Sequence, residues 1–256
     1  MLRKIVIVQC DVGRELSLDE NLAIFKQRPD FVILPEYFNV NPKLRDTRQN
    51  SLDTLRRLKY CGILAERFET ILISGTAIES YENEFFNTCH VFDRNDIVGT
   101  YRKTNPTANE QKNYISPGQN QIIIEINNVR VSVLICADVL YQANFDRLRS
   151  LQPDIVFIPT TSPYRPHEHE KVKFARDNNI FIDGARRSGA YIIKCCAVGE
   201  LWGGKLQGRS LVAAPWGILN RIAPQDENRE RIISTTLDIA DLREFRAKQR
   251  IIYSTT

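Results

Sequence analysis

Ten short apolar runs, rich in valine and isoleucine, recur along the chain, and helix-like patterns fill several of the gaps between them. The runs are Lys4–Gln9, Phe31–Leu34, Thr70–Thr76, Thr88–Phe92, Ile122–Ile126, Val129–Ile135, Ile155–Pro159, Ala190–Cys196, Ser210–Ala213 and Ile232–Leu237. Runs of this length read as strands, and their near-continuous apolarity means that both faces of the sheet are covered. The helical patterns are Leu18–Gln27, Ser51–Phe68, Val139–Leu151 and Glu168–Gly184, with Asp, Glu or Ser near their starts. So many strands exceed what one open sheet usually carries, so the strands divide between layers. Polar turns at Asp93–Asp96 and Asn127-Asn128 pair some neighbours antiparallel, which makes the sheets mixed. The expectation is a layered α/β sandwich in one domain covering residues 1–256.

Composition narrows the partners. Lys plus Arg number 35 against 31 Asp plus Glu, and the arginines are scattered among acids. No basic stripe with interleaved aromatics is present, which argues against a nucleic-acid partner. The six cysteines, Cys10, Cys61, Cys89, Cys136, Cys195 and Cys196, include no C-x-x-C pair or other zinc spacing. They read as reduced thiols, which suggests a cytoplasmic location. The apolar stretch at Ile5–Val8 is too short for a signal peptide, and no window approaches the ~18 apolar residues of a membrane span.

Three segments carry chemistry. Glu36 follows Phe31–Pro35, Lys103 follows Ile97–Tyr101, and Cys136 follows Val129–Ile135, so each reactive group stands just past an apolar run. A thiol that attacks, a carboxylate that moves protons and an ammonium that stabilises an oxyanion together suffice to break an acyl carbon–nitrogen bond. Cys136 reads as a strand-to-helix elbow, where the helix N-terminus would lower the thiol pKa and offer N–H groups to an oxyanion. Glu36 is expected half-buried and aimed by Pro35, with partial desolvation raising its pKa toward a base's range. Taken singly, each residue also reads as a buried thiol, a solvated acid or a solvated lysine, and only the set has chemical meaning. The irregular stretches Thr104–Gly118 and Thr160–His167 are of the kind that lines a site.

The order Glu36, Lys103, Cys136 in these surroundings resembles the nitrilase superfamily of carbon–nitrogen hydrolases. The likeness extends through Ile5–Gln9, Asp19–Leu22, Phe86–Phe92, Ser116-Pro117-Gly118, Phe145–Leu148, Phe157–Pro159, Gln207–Ser210 and Pro215–Gly217, about residues 4 to 245. It implies a four-layer αββα sandwich with mixed sheets, a homodimer or higher homo-oligomer, and a small amide-type substrate. It further implies Glu36 as general base, Lys103 as oxyanion cation and Cys136 as nucleophile, with no cofactor and no metal. His167-Glu168-His169 is the nearest metal-like cluster and reads as surface.

The same resemblance asks for a second glutamate six residues before the Pro-Gly of the loop. That count gives Gln111, with Glu110 beside it as the candidate supporting carboxylate. Asp138 and Tyr37 join it as substrate-binding or supporting residues. Asp138 also favours the amidase side of the family over nitrile hydrolysis. No arginine follows Cys136-Ala137-Asp138 closely, so a substrate carboxylate would have to find Arg102, Arg165 or another cation. The Arg-x-x-Glu-Asn signature expected near Arg186–Tyr191 is shortened. The implied activity is hydrolysis of a non-peptide amide or carbamoyl bond through a cysteine thioester. The alternatives are a retired binding protein of the same fold, or acyl transfer to an amine or thiol. Asp238–Thr256, with Leu242, Phe245, Ile251 and Ile252 needing cover, is the expected oligomer contact.

Overall fold

The computed structural model describes the backbone of residues 1–254 and the side chains of residues 1–249. In chain order the first half holds β1 (Leu2–Gln9), α1 (Leu18–Phe25), β2 (Phe31–Ile33), α2 (Thr47–Phe68), β3 (Ile71–Ile73), β4 (Ala77–Tyr81), β5 (Glu84–Asp93), β6 (Asp96–Arg102) and α3 (Ala108–Lys112). The second half holds β7 (Ile124–Ile126), β8 (Val129–Val133), α4 (Gln142–Leu151), β9 (Ile155–Thr160), α5 (Glu170–Asp177), α6 (Asp183–Ser188), β10 (Tyr191–Cys196), β11 (Glu200–Leu201), β12 (Gly204–Lys205), β13 (Leu211–Ala214), β14 (Gly217–Arg221), β15 (Arg231–Asp238) and α7 (Ile239–Ser254).

The strands divide into a seven-stranded sheet, β15-β1-β2-β3-β5-β4 with β6 on β5, a six-stranded sheet, β14-β13-β10-β9-β8-β7, and a small β11-β12 ribbon. Both large sheets are mixed: β1, β2 and β3 run parallel, as do β8, β9 and β10, and the flanking pairs are antiparallel. Period-two alternation on β1 sorts its side chains. Ile5 and Ile7 join Phe31, Ile33, Val133, Phe157 and Ile193 in a core between the two sheets. Val6 and Val8 turn the other way and pack with Ile24 of α1 and Leu58, Leu64 and Phe68 of α2. Phe145 and Leu148 of α4 and Ala185 of α6 cover the far side of the second sheet. The result is the expected four-layer αββα sandwich. Among the described residues, no helix is long and apolar enough to cross a membrane.

Several expected elements differ in extent. The Thr70–Thr76 run keeps strand geometry only over Ile71–Ile73, because Gly75 turns the chain at φ +70°. A side chain there would place its Cβ 2.1 Å from the Pro35 carbonyl, so glycine is what lets this turn close on the segment carrying Glu36. The Val139–Leu151 helix is preceded by a separate 3₁₀ turn, Cys136–Leu140, which ends where Tyr141 adopts an extended backbone. The helix expected over Glu168–Gly184 runs from Glu170 to Ser188 through a π turn at Asn178–Ile182 and stops at Gly189, φ +66°. β4, β11, β12, β14, α3 and α7 lie outside the expected elements; β14 is a partly exposed edge strand whose pattern carries little apolar signal. The C-terminal segment also differs in role. Leu242 is fully buried against its own chain, and the Phe245 ring packs on Trp216 with centroids 5.5 Å apart. Leu242 therefore finds its cover within the chain, Phe245 stays half-buried beside the exposed Trp216, and the side chains of Ile251 and Ile252 lie outside the described residues.

Candidate active site

Glu36 sits three residues past the end of β2 in the Pro35–Tyr37 turn and is fully buried, where half-burial was expected. The reason is that both sheets close over it. Its Oε1 accepts from Lys103 Nζ at 2.8 Å and Asn87 Nδ2 at 3.0 Å. Its Oε2 accepts from the Thr161 amide at 2.8 Å and the Thr161 hydroxyl at 2.5 Å. The carboxylate is therefore held by two residues of the first sheet and by the loop that leaves β9.

Lys103 follows β6 and is 1% exposed. Besides Glu36, its ammonium donates to both oxygens of Glu110 at 2.9 Å. Burial alone would lower the Lys103 pKa, but the negative charges of Glu36 and Glu110, joined by Cys136 only once its thiol ionises, outweigh it and hold the ammonium above its ordinary range. Glu110 lies on the short helix α3, whose Thr107 cap donates its amide to Glu110 Oε2 at 2.7 Å. Burial works to raise the Glu110 pKa, yet Lys103 and the Tyr37 hydroxyl together bring it below the usual carboxylate value. One residue on a helix is a swing of about 100°. The neighbouring Gln111 accordingly points elsewhere, donating to the Pro106 carbonyl at 3.0 Å. Glu110, not the residue given by the count from Pro117, faces Lys103.

Tyr37 adopts φ +59°, which drives its hydroxyl onto Glu110 Oε1 at 2.5 Å. Burial, then the charges of Glu110 and Glu36, push its pKa well above the ordinary phenol value, so it stays a donor. Asn87 on β5 links the two carboxylates, its Nδ2 reaching Glu36 and, at 2.8 Å, Glu110.

Cys136 stands three residues beyond the end of β8 at φ +43°, an uncommon conformation for a side chain with a Cβ. Its thiol donates to the Thr161 carbonyl at 3.3 Å, so Thr161 contacts the Cys136 thiol and the Glu36 carboxylate together. The expected lowering of the thiol pKa is not found. Burial first, then the negative charge of Glu36, raise it, with Lys103 opposing. The physical reason is local: the turn after Cys136 is five residues of 3₁₀ geometry, too short for a strong dipole, and a carboxylate stands close by. Asp138 is fully buried and does not line the cavity. It accepts from the Ile135 amide, the Tyr101 and Thr104 hydroxyls and the Asn105 amide at 2.7–3.0 Å, and so braces the Cys136 turn against β6. Burial leads the rise of its pKa above the ordinary aspartate value.

Glu36, Tyr37, Lys103, Glu110 and Cys136 all line one cavity of about 560 Å³. Both loops singled out from the sequence contribute, through Thr107 and Asn109 on one side and Thr161, Ser162 and Pro163 on the other. Of the two distant cations considered, Arg165 reaches the cavity and Arg102 does not; Arg102 is spent on Glu79, at 2.8 Å, and on the Tyr81 and Phe86 rings. His167 and His169 are exposed, and Glu168 between them is bonded to Arg176. Sequence reasoning missed Thr161, which reaches Glu36 by both amide and hydroxyl, and missed Arg176, Asp177, Lys194 and Arg209 on the cavity wall. Lys194 had a legible signal, being a charge inside the apolar run Ala190–Cys196.

The carbon–nitrogen hydrolase family model matches residues 15–247. A glutamine-dependent NAD(+) synthetase of Aquifex aeolicus is 27% identical over 68% of this chain, which spans only 30% of that protein. A 2-oxoglutaramate amidase of Bacillus subtilis is 21% identical over 85% of the chain and 81% of its own length. The crystal structure of a carbon–nitrogen hydrolase from Helicobacter pylori superposes with a TM-score of 0.83 at 17% identity, covering 99% of this chain and 95% of that one. With the family model spanning most of its length and this fold around the cavity, the chain belongs to the carbon–nitrogen hydrolases of the nitrilase superfamily.

Proposed function

We propose that this protein hydrolyses a small non-peptide amide through a thioester on Cys136, with Glu36 as proton carrier and Lys103 as the cation for the oxyanion. The observation that carries the reading is the convergence of Cys136, Lys103 and two carboxylates, Glu36 and Glu110, on one cavity wall. As Cys136 Sγ bonds to the amide carbon, Glu36 takes the thiol proton and the carbonyl oxygen gains negative charge beside Lys103. Collapse breaks the C–N bond, and the proton on Glu36 leaves with the amine. Water then gives a proton to Glu36 and its oxygen to the thioester carbon, and breaking the C–S bond returns that proton to the thiolate. A raised thiol pKa suits this scheme, because the proton is moved during attack and a standing thiolate is not needed. The relatives named for glutamine and for 2-oxoglutaramate support a primary carboxamide as the reacting group. Glu110 beside Lys103 supplies the carboxylate that Gln111 does not, which weakens one of the two grounds for a non-catalytic reading; the other is the shortened signature at Arg186–Tyr191.

The test is an ammonia-release assay over a panel of primary amides and carbamoyl compounds, with Cys136→Ala as control. The wild-type protein should release ammonia from at least one amide and the variant should lose orders of magnitude; equal release from both would sink the reading.

A further inference from the structure

The helical layer that covers the first sheet turns an apolar stripe outward. On α2 the side chains of Arg48, Leu52, Leu55, Lys59, Ile63 and Glu66 are exposed and follow one another at intervals of three or four residues, so they lie in line along one face. Leu52 is 79% exposed, Leu55 76% and Ile63 48%. The helix already buries Leu58, Leu64 and Phe68 against its own sheet, which gives no reason for a second apolar face. α1 lies alongside, tied by Arg67 to Asn21 Oδ1 at 3.2 Å and by the Leu16 amide to the Tyr60 hydroxyl at 2.7 Å. These two ties bracket Ile63 on α2 and Leu18 on α1. α1 exposes a stripe of its own, Leu18, Leu22 and Phe25. Six large apolar side chains gathered on two neighbouring helices mark an interaction surface, where single ones would not.

The order of residues along α2 says what fits there. Turning the helix end for end about residue 57 brings Arg48 opposite Glu66 and Leu55 opposite Lys59, and brings Leu52 within one residue of Ile63. Cation then meets anion and the two apolar positions meet each other. The methylene stem of Lys59 lies over Leu55 while its ammonium stays in water. The end charges are open to such a contact. Among the described residues the Arg48 guanidinium has no hydrogen-bond or ion-pair partner, and the Glu66 carboxylate is bonded to the neutral Asn95 amide and to no cation. A face complementary to its own reverse is what a two-fold interface requires, because each contact must occur twice with the roles exchanged.

We propose that α2 is a self-docking surface: two copies of this chain pack α2 against α2, antiparallel about a two-fold axis near residue 57. Arg48 of each copy pairs with Glu66 of the other at the two ends, and Leu18 and Leu22 of α1 widen the apolar contact beside Ile63. The contact is independent of the amide-hydrolase reading and goes beyond it.

The experiment is sedimentation velocity at micromolar concentration. The wild-type protein should sediment as two copies or a higher even number. Leu55→Lys sets ammonium against ammonium at two places related by the axis and should halve the particle mass. Leu55→Glu, which meets Lys59 of the other copy, should keep it. Arg48→Glu and Glu66→Arg should each weaken association by about ten- to a hundredfold, since two ion pairs become two repulsions. Arg48→Glu/Glu66→Arg should restore it, which also shows that the single variants were folded. A wild-type protein that sediments as one copy overturns the proposal. A particle whose mass none of these substitutions changes also overturns it and leaves the stripe to a different partner. A double variant that associates no better than its parents overturns the antiparallel register and with it the proposal. None of these outcomes depends on amide turnover.

Discussion

Replacing Glu36 by Gln should make the Cys136 thiol more reactive toward a simple alkylating agent while abolishing amide turnover. The negative charge of Glu36 is, after burial, the main influence raising the thiol pKa, and Lys103 pulls the other way. Glutamine keeps the shape and removes the charge, while Lys103 retains its partner Glu110. Thr161 bonds to both groups, which sets the separation. Taking about 5 Å and an effective dielectric of about 20, the lost repulsion is worth ~3 kcal/mol, or ~2 pKa units. At pH 8, below the pKa of either form, that is a thiolate fraction about a hundred times larger. A thiolate of lower pKa is intrinsically less nucleophilic, with a Brønsted slope near ~0.5, so the net gain in alkylation rate is about tenfold. Turnover should fall by about a thousandfold or more, because in the proposed cycle the same residue carries every proton. The assay is iodoacetamide labelling at pH 8, read by mass on the peptide carrying Cys136, alongside ammonia release from one amide. Labelling that slows in step with turnover would refute the electrostatic reasoning.

Glu110→Gln should cost at least a hundredfold in kcat, since it strips one of two carboxylates from Lys103 and disturbs the bonds to Tyr37, Asn87 and Thr107. Gln111→Ala, whose side chain points away from the cavity, should stay within about twofold of wild type in the same assay. His90 is 6% exposed, and burial lowers its pKa from 6.5 to about 4. The unfolded chain then binds the extra proton between those values, so stability falls as pH drops from 6.5 to about 4, by about 3 kcal/mol in all. Thermal midpoints across that range should fall in the wild-type protein and flatten in His90→Asn; parallel curves would remove His90 as the cause. Hydroxylamine added during turnover should yield some hydroxamate without suppressing hydrolysis, and hydroxamate without any competing acid product would favour acyl transfer over hydrolysis.

Much of this architecture is legible in the sequence because it depends on period and position. The β-branched runs at Ile5–Val8, Val129–Val133 and Ile155–Ile158 are buried on both faces and became central strands. Glu36, Lys103 and Cys136 could be found because each follows such a run, and the end of a strand is where a sheet presents side chains to a cleft. What stayed hidden depends on backbone detail or distant pairing. The phase of α3 decides between Glu110 and Gln111, and a five-residue helix leaves no periodic trace. The thiol was misjudged because an α-helix was expected where the chain makes one 3₁₀ turn, and because the charge of Glu36 reaches it from a segment 100 residues away. Thr161 acts partly through its amide and carbonyl, which every residue but proline possesses, and its hydroxyl on Glu36 is one threonine among many in the sequence. Arg209 lies in a loop, and only the fold shows that its Nε and Nη1 are buried without a hydrogen-bond partner.

The most direct test of the central claim is the mass of the protein quenched in acid during steady-state turnover of an amide that it hydrolyses. A thioester on Cys136 predicts an adduct equal to the substrate acyl group, confined to the peptide that carries Cys136, removed by hydroxylamine and absent in Cys136→Ala together with turnover. Turnover that persists in Cys136→Ala, or an acyl group on any other residue, would contradict it.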